Sequence, residues 1–203
     1  MGRLRAAVAV VLVATSLSAQ ERAQPKASAP PVRAKSTLPA AGAMNDGTYR
    51  NPSFGFSYKV PFGWVDRTAD MQDDSADASK SRLLLAVFER PPEATGDTIN
   101  SAVVIAAEPL AVGQKTAFEY FESIAELTTA KGFQAAGDPQ EISIGVTKLV
   151  RGDFTMARGK LTMHQTSLVI LEKGYAISFT FITGSDDEVN ELIEKLNFAA
   201  RKR

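Results

Sequence analysis

The stretch from Tyr49 to Trp64 constrains the fold of this chain more than any other. Large apolar residues alternate there with small or polar ones, which is typical of a strand with one covered face; they are Phe54, Phe56, Tyr58 and Val60. Pro61-Phe62-Gly63 then interrupts the pattern, and the only tryptophan, Trp64, begins the next run. The sequence therefore predicts two strands, Phe54–Val60 and about Trp64–Arg67, joined as a hairpin.

The chain before this stretch has no pattern that could build a core. Two arginines, an apolar run from Ala6 to Leu17 and small residues up to Ala19 have the layout of a secretory signal peptide, which predicts residues 1–19 as a leader. An uncleaved signal anchor is the alternative. Residues 20–46 are rich in Ala and Pro and predict a disordered linker. Residues 47–200 are then one domain, and residues 201–203 are a basic tail.

Composition excludes several classes of function. The 23 basic residues balance the 23 acidic ones, and loss of the leader would remove only Arg3 and Arg5, leaving 21 against 23, or −2. Such a domain lacks the clustered basic surface that nucleic-acid binding requires. With no cysteine and one histidine, disulfides, thiolate chemistry and multi-histidine metal sites are excluded. The sequence predicts no cofactor.

The first half of the predicted domain places two buried strands before a helix. The runs Arg82–Glu89 and Ser101–Glu108 are apolar at odd and even positions alike, so both strands are expected to be covered on both faces. Thr116 and Glu119 form the spacing of a capping box, which predicts a helix from about Ala117 to Lys131. Phe118 and Phe121 are expected to lie on the sheet as part of its apolar stripe.

The second half is richer in strands and ends in a second helix. Four runs predict strands, and Ser185 with Glu188 predicts the capped start of the helix; the runs are Glu141–Ile144, Thr147–Met156, Leu161–Leu171 and Tyr175–Thr183. Tight turns join the late strands, so the sheet should be largely antiparallel. The predicted fold class is α+β, with a central sheet of about six or seven strands covered by helices.

Two motifs resemble the PsbP/Mog1-like superfamily. One is Tyr49…Asn51…Phe54-Gly-Phe-Ser57…Val60-Pro61…Trp64, and the other is Gly174-Tyr175-Ala-Ile-Ser-Phe179 followed by a capped helix ending in Leu196-Asn-Phe198. The resemblance covers about residues 46 to 200. It implies an α/β/α sandwich around a central antiparallel sheet and a non-catalytic accessory role, and it transfers no catalytic residues.

Two polar features are candidates for chemistry. In the loop from Asp66 to Asp77, the carboxylates of Asp70, Asp73, Asp74 and Asp77 are weak candidates for a cation site, because the spacing of a calcium loop is missing. His164 could serve a small hydrolase with Ser167 and Asp153, although no nucleophile motif surrounds it. A solvated loop and a hydrogen-bonded structural histidine are the interpretations that we favour, so no catalytic residue and no bound metal are predicted.

Phe62 and Trp64 are the candidates for contact with a partner. Core packing at the end of the sheet is the main interpretation of these aromatic side chains, and a docking surface is the alternative.

We therefore predict a monomeric, periplasmic or secreted protein of bacterial type. It would be a non-catalytic accessory or binding domain that docks on another protein. It would contact a membrane only through an uncleaved signal anchor.

Overall fold

The computed structural model describes residues 40–72, 81–91, 93, 96–114 and 116–199. Their helices are α1 (Thr68–Met71), α2 (Ala117–Ala130) and α3 (Asp186–Ile193). Their strands are β1 (Ala43–Asn45), β2 (Thr48–Asn51), β3 (Phe56–Lys59), β4 (Val65–Asp66), β5 (Arg82–Phe88), β6 (Ala102–Pro109), β7 (Gln134–Ala135), β8 (Gln140–Ile144), β9 (Thr147–Arg158), β10 (Leu161–Glu172), β11 (Tyr175–Thr183) and β12 (Leu196–Phe198). None of the helices in this part of the chain is long and apolar enough to cross a membrane.

The strands form two antiparallel sheets. The large sheet has the order β4-β5-β6-β11-β10-β9-β7, with β8 also paired to β9, and the small sheet has the order β1-β2-β3-β12. Every strand pairing between described residues is antiparallel. The predicted α+β class with a largely antiparallel sheet is confirmed. Among the described residues the large sheet has eight strands, where the sequence predicted about six or seven. β4 lies within the predicted strand Trp64–Arg67, whereas β7 has only two residues and is too short to show a period.

The predicted hairpin between Phe54–Val60 and Trp64–Arg67 is wrong. β3 pairs with β2 and β12 in the small sheet, whereas β4 pairs with β5 in the large one. The turn at Pro61–Gly63 therefore carries the chain from one sheet to the other. The actual partner, β2, lies before β3 and ends at the buried Asn51, whose carboxamide oxygen accepts a hydrogen bond from the Phe54 amide at 3.1 Å.

The first strand begins inside the segment that the sequence assigns to the linker. That assignment ends at about residue 46, and β1 spans Ala43–Asn45 with all three residues exposed. β1 is held by backbone pairing to β2 and buries none of its side chains, so its sequence has no hydrophobic period. Gly42 has no room for a side chain, because an added Cβ would lie 2.3 Å from Cζ of Tyr49.

The main core lies between the two sheets. Phe56 and Tyr58 of β3 pack over Phe179 and Phe181 of β11, with ring centroids 5.1 and 6.3 Å apart. α3 extends this layer over β10 and β11 with Val189, Leu192 and Ile193, which are buried as the i, i+3, i+4 spacing predicts. We call the face of the large sheet that packs against the small sheet and α3 its inner face.

A second core lies on the opposite, outer face under α2. The capping box of Thr116 and Glu119 is present in full, which confirms the predicted start of this helix. Phe121 packs on Phe154 and lies over Gly152, where an added Cβ would come within 2.1 Å of the ring. Phe118 does not lie on the sheet as expected; it is 42 % exposed at the edge of the helix.

The expectation that β6 is covered on both faces is met only in part. Its inward residues Val103 and Ile105 are fully buried, but Val104 and Ala106 on the outer face are only half-buried. α2 contacts β7, β9 and β10, and beyond them it packs on Ala176 of β11 and reaches Glu108 of β6 through Tyr120. An apolar residue at every position indicated burial on both sides, yet a sheet face can be apolar without being covered by its own chain.

Candidate functional site

The turn between the two sheets presents the most exposed aromatic side chain of the described residues. Phe62 has 106 % of its reference exposure, while Val60 and Trp64, before and after the turn, are half-buried. The Trp64 amide donates to the Pro61 carbonyl at 3.3 Å, and the Val60 amide donates to Gly47 at 2.8 Å. Gly63 has a φ of +83°, which favours glycine in this turn. The backbone thus holds the phenyl ring in solvent.

Trp64 has a different environment from Phe62. Its side chain is half-buried and packs against the core between the sheets, together with Val60. The two aromatic residues that the sequence groups as one candidate surface therefore separate into a core anchor and an exposed tip. We call the segment Pro61–Gly63 the Phe62 turn.

His164 is paired with a residue that sequence patterns do not connect to it. Its Nδ1 lies 2.7 Å from Oδ1 of Asp186, the first residue of α3. The β10–β11 pairing sets His164 opposite Thr183, so the loop between β11 and α3 brings the carboxylate over the ring. One pattern in the sequence pointed to Asp186, namely the capped start of the second helix, because acidic residues are favoured in the first turn of a helix.

The residues proposed to assist His164 lie elsewhere. Ser167 is fully buried on the outer face of β10, whereas Thr166, the neighbour of His164 on the inner face, donates to Asp153 at 2.5 Å. Asp153 also accepts from Nε of Arg151 at 3.0 Å. His164 is therefore oriented by Asp186 on the opposite face of β10 from Ser167. Asp153 belongs to a separate network that reaches Asn190 of α3 through Arg151.

The acidic loop lies largely outside the described residues. Asp73, Asp74 and Asp77 are among residues 73–80, which the structure does not describe. Asp70 lies in α1, where its carboxylate accepts from Nε of Arg67 at 2.7 Å. Among the described residues no group of three metal-ligating side chains comes together.

Two buried tyrosines have strongly perturbed ionisation. Burial raises the pKa of Tyr58 far above its usual value, and its hydroxyl has no hydrogen-bond partner in the described structure. Burial, reinforced by the neighbouring Glu108 carboxylate, raises the pKa of Tyr120 in the same direction. The Tyr120 hydroxyl donates to Oε2 of Glu108 at 2.7 Å and so ties α2 to β6.

Comparisons with known proteins concern the fold. No family model matches the chain, and no curated protein matches it in sequence. Similar solved structures include PsbP (CyanoP) from Synechocystis, with 13 % identity over 83 % of this chain and 99 % of that one, at a TM-score of 0.49. LpqN of Mycobacterium tuberculosis, which is involved in cell envelope biogenesis, has 16 % identity over 71 % of this chain and 83 % of that one. Its TM-score is 0.43.

The Saccharomyces cerevisiae Ran-binding protein Mog1p is a third similar structure. It has 11 % identity over 77 % of this chain and 96 % of that one, at a TM-score of 0.45. At such identities the similarity says nothing about the ligand or partner of this chain.

Proposed function

We propose that this protein is an exported, non-catalytic binding domain that docks on a protein of the cell envelope or a secreted protein through the Phe62 turn. The observation that carries the proposal is the full exposure of Phe62 on a turn whose backbone is held on both sides. Large aromatic side chains dominate the binding energy of many interfaces. The hydrogen bonds of the turn already fix its backbone, so a partner that binds Phe62 orders little more than the side chain itself.

Trp64 supports this role without contacting the partner. Because it packs on the core between the sheets, it fixes the position of the turn. A Phe62→Ser substitution removes only solvent-exposed area and should leave the stability of the domain within about 0.5 kcal/mol of wild type. The same substitution should abolish binding if Phe62 is the anchor of the interface.

The test is site-specific photocrosslinking in the cell envelope. A photoreactive phenylalanine analogue in place of Phe62 should crosslink to one protein. The matched control is the same analogue at Val112, which has 108 % of its reference exposure. Val112 follows the Pro109 end of β6, whereas the Phe62 turn leads into β4 opposite Phe88, which pairs with Ala102 at the other end of β6.

Crosslinks from position 62 that are absent from position 112 and lost on competition with unlabelled wild-type protein support the proposal. No crosslinked protein, or equal products from both positions, contradicts it. His164→Ala serves as a second control, because a domain without catalysis should keep its crosslinked partner when the His164–Asp186 contact is removed.

The small hydrolase using His164 is a second candidate function, because the 2.7 Å contact with Asp186 orients the ring as a general base requires. Turnover of ester or glycoside substrates that disappears in His164→Ala would establish it. A cation- or small-ligand-binding loop at Asp66–Asp77 is tested separately by calorimetry with calcium and manganese.

A further inference from the structure

β8 leaves one edge of the large sheet open in the part of the chain that the structure describes. It spans Gln140–Ile144 and pairs with β9 on one side, while no described strand pairs with its other side. The neighbouring β12 contacts β8 but forms no backbone hydrogen bond with it. β1, β4, β7 and β12, which also lie at sheet margins, have only two or three residues. An open edge of the length of β8 is a template for another strand.

The opposite margin of the large sheet is covered by the chain itself. The Ala86 carbonyl of β5 accepts from the Arg67 amide at 2.8 Å, and the Ala86 amide donates to Oγ1 of Thr68 at 2.9 Å. β4 pairs with the end of the same strand at Val87 and Phe88. The described chain therefore covers one margin of this sheet and leaves the β8 margin open.

The turn between β8 and β9 determines which backbone groups of β8 point outward. Ile144 and Thr147 flank a two-residue turn and pair with each other, so their backbone groups bond across the hairpin. Because these directions alternate along a strand, the even-numbered residues of β8 bond β9, while Glu141 and Ser143 direct their amides and carbonyls away from it. No described backbone group bonds them there. Both residues are exposed, so a strand that approaches this edge finds free donors and acceptors.

We propose that β8 pairs with β8 of a second copy of this chain, antiparallel about a two-fold axis at Ile142, and joins the two large sheets. In this register Glu141 faces Ser143 of the second copy, and the two residues exchange backbone hydrogen bonds. Ile142, which packs at the margin of the main core, meets its counterpart on the inner face. An axis at Glu141 would set two carboxylates face to face. An axis at Ser143 would place Glu141 opposite Gly145, beyond the end of the strand.

The charges on the outer face favour a second copy as the occupant. Lys148 of β9 lies opposite Ser143, and its Nζ donates to Oε1 of Glu141 at 2.7 Å. In the proposed register only Ser143 lies between Lys148 and Glu141 of the second copy, which are about 10 Å apart across two strand spacings. A lysine and a glutamate side chain together span this distance over the small serine. The β8 edge is therefore complementary in charge to itself.

This dimer is independent of the proposed function. The Phe62 turn leads into β4, which is at the opposite end of the strand order from β8 and β9. Pairing through β8 therefore leaves Phe62 accessible to a partner. The proposal departs from the monomer that the sequence predicts, because the open edge arises from pairing between strands and has no pattern in the sequence.

Sedimentation velocity of the full-length protein between about 1 μM and 1 mM tests the dimer. The short interface predicts a dissociation constant on the order of 10–100 μM. No species larger than a dimer should form, because a two-fold interface closes on itself. Exchange of the Glu141 and Ser143 amide hydrogens should slow as the protein concentration rises. A monomer at every concentration, or a series of larger oligomers, overturns the proposal.

A pair of charge variants tests the register. Glu141→Lys and Lys148→Glu should each dimerise at least about tenfold more weakly than wild type, because like charges then meet across the interface. An equimolar mixture should form a heterodimer at least about tenfold more tightly than either variant associates alone. Circular dichroism verifies that both variants fold. A mixture that associates no better than the separate variants contradicts the register.

Two substitutions at one position separate backbone pairing from side-chain contact. Ser143→Pro removes an amide that points away from β9, so it should abolish the dimer and keep the hairpin. Ser143→Ala keeps that amide and should change dimerisation by less than about twofold. Phe62→Ser should dimerise as wild type does, so this proposal and the proposed function can fail separately. A dimer that persists in Ser143→Pro would show a different interface and would overturn the proposal.

Discussion

Tyr58 and Tyr120 are both buried, but their hydroxyl groups have different surroundings. Tyr58 is completely buried with no described partner for its hydroxyl, while Tyr120 donates to Glu108. A buried polar group without a hydrogen bond destabilises the folded state, whereas a satisfied one contributes to it. The tyrosine hydroxyl group is therefore expected to destabilise the folded state at position 58 and to stabilise it at position 120.

This contrast gives a prediction from one pair of substitutions. Tyr58→Phe should leave the free energy of unfolding unchanged or raise it by about 1 kcal/mol, because it removes an unsatisfied hydroxyl without altering ring packing. Tyr120→Phe should lower it by about 1–3 kcal/mol, because Glu108 loses a donor in a partly buried position. Urea unfolding at neutral pH measures both, and a larger loss in Tyr58→Phe than in Tyr120→Phe would contradict the assignment.

Sequence patterns located single residues only where a local motif determines their role. Thr116, Ser185 and the aromatic alternation around Phe56 behave as predicted, because capping and strand periods are set by residues close in sequence. The partner of His164 could not be predicted, because Asp186 comes from a different element. For Phe62 the main interpretation, core packing, is wrong, because a turn residue can point inward or outward and Phe62 points outward.

α3 and its flanking loop connect the inner layer to the large sheet. The Ser185 side chain accepts from the Glu188 amide at 3.3 Å, and Oε2 of Glu188 accepts from the Gly184 amide at 3.0 Å. Asp186 adds its contact with His164. Three side chains from one short motif thus hold the start of the helix over β10 and β11.

The cap gives a prediction for this element. Ser185→Ala should lower the free energy of unfolding by about 1 kcal/mol, because it removes the side-chain acceptor at the N-cap. Ser143→Ala on β8 is the matched control; its side chain is exposed and its loss should cost less than about 0.5 kcal/mol. Thermal unfolding followed by circular dichroism compares the two, and equal shifts would refute a specific role for the cap.

Element order and type were predictable, whereas the assignment of strands to sheets was not. The periods of β5, β6, β10 and β11 and the caps of both long helices are visible in the sequence. The small sheet was missed because β1 and β12 have three residues each. The prediction that the second helix ends in Leu196-Asn-Phe198 is wrong, because α3 ends at Ile193 and these three residues form β12. β1 pairs with β2, the next strand in the chain, whereas the pairing of β12 with β3 depends on contact between distant parts of the chain.

At the scale of the whole molecule, its tyrosines link stability to alkaline pH. Burial raises the pKa of Tyr49, Tyr58 and Tyr120 in the folded protein. The unfolded chain releases these protons near pH 10, while the folded protein retains them. Stability from this source is complete below about pH 10 and is lost as the pH rises further.

We therefore expect the free energy of unfolding to fall steeply above about pH 10. Tyr58→Phe should make this fall shallower by about one proton, or about 1.4 kcal/mol per pH unit. Urea titrations at several alkaline pH values measure the slope. An identical slope in wild type and Tyr58→Phe would contradict the raised pKa of the buried hydroxyl.

The small sheet joins strands from widely separated parts of the chain. β3 is flanked by β2, its near neighbour, and by β12, which follows every other described element. β3 can pair with β2 early in synthesis, but its other edge has no strand partner until residues 196–198 have been synthesised. Phe56 and Tyr58 also need Phe179 and Phe181 of β11 for their ring contacts, so the layer between the sheets is completed by residues that are synthesised much later than β3.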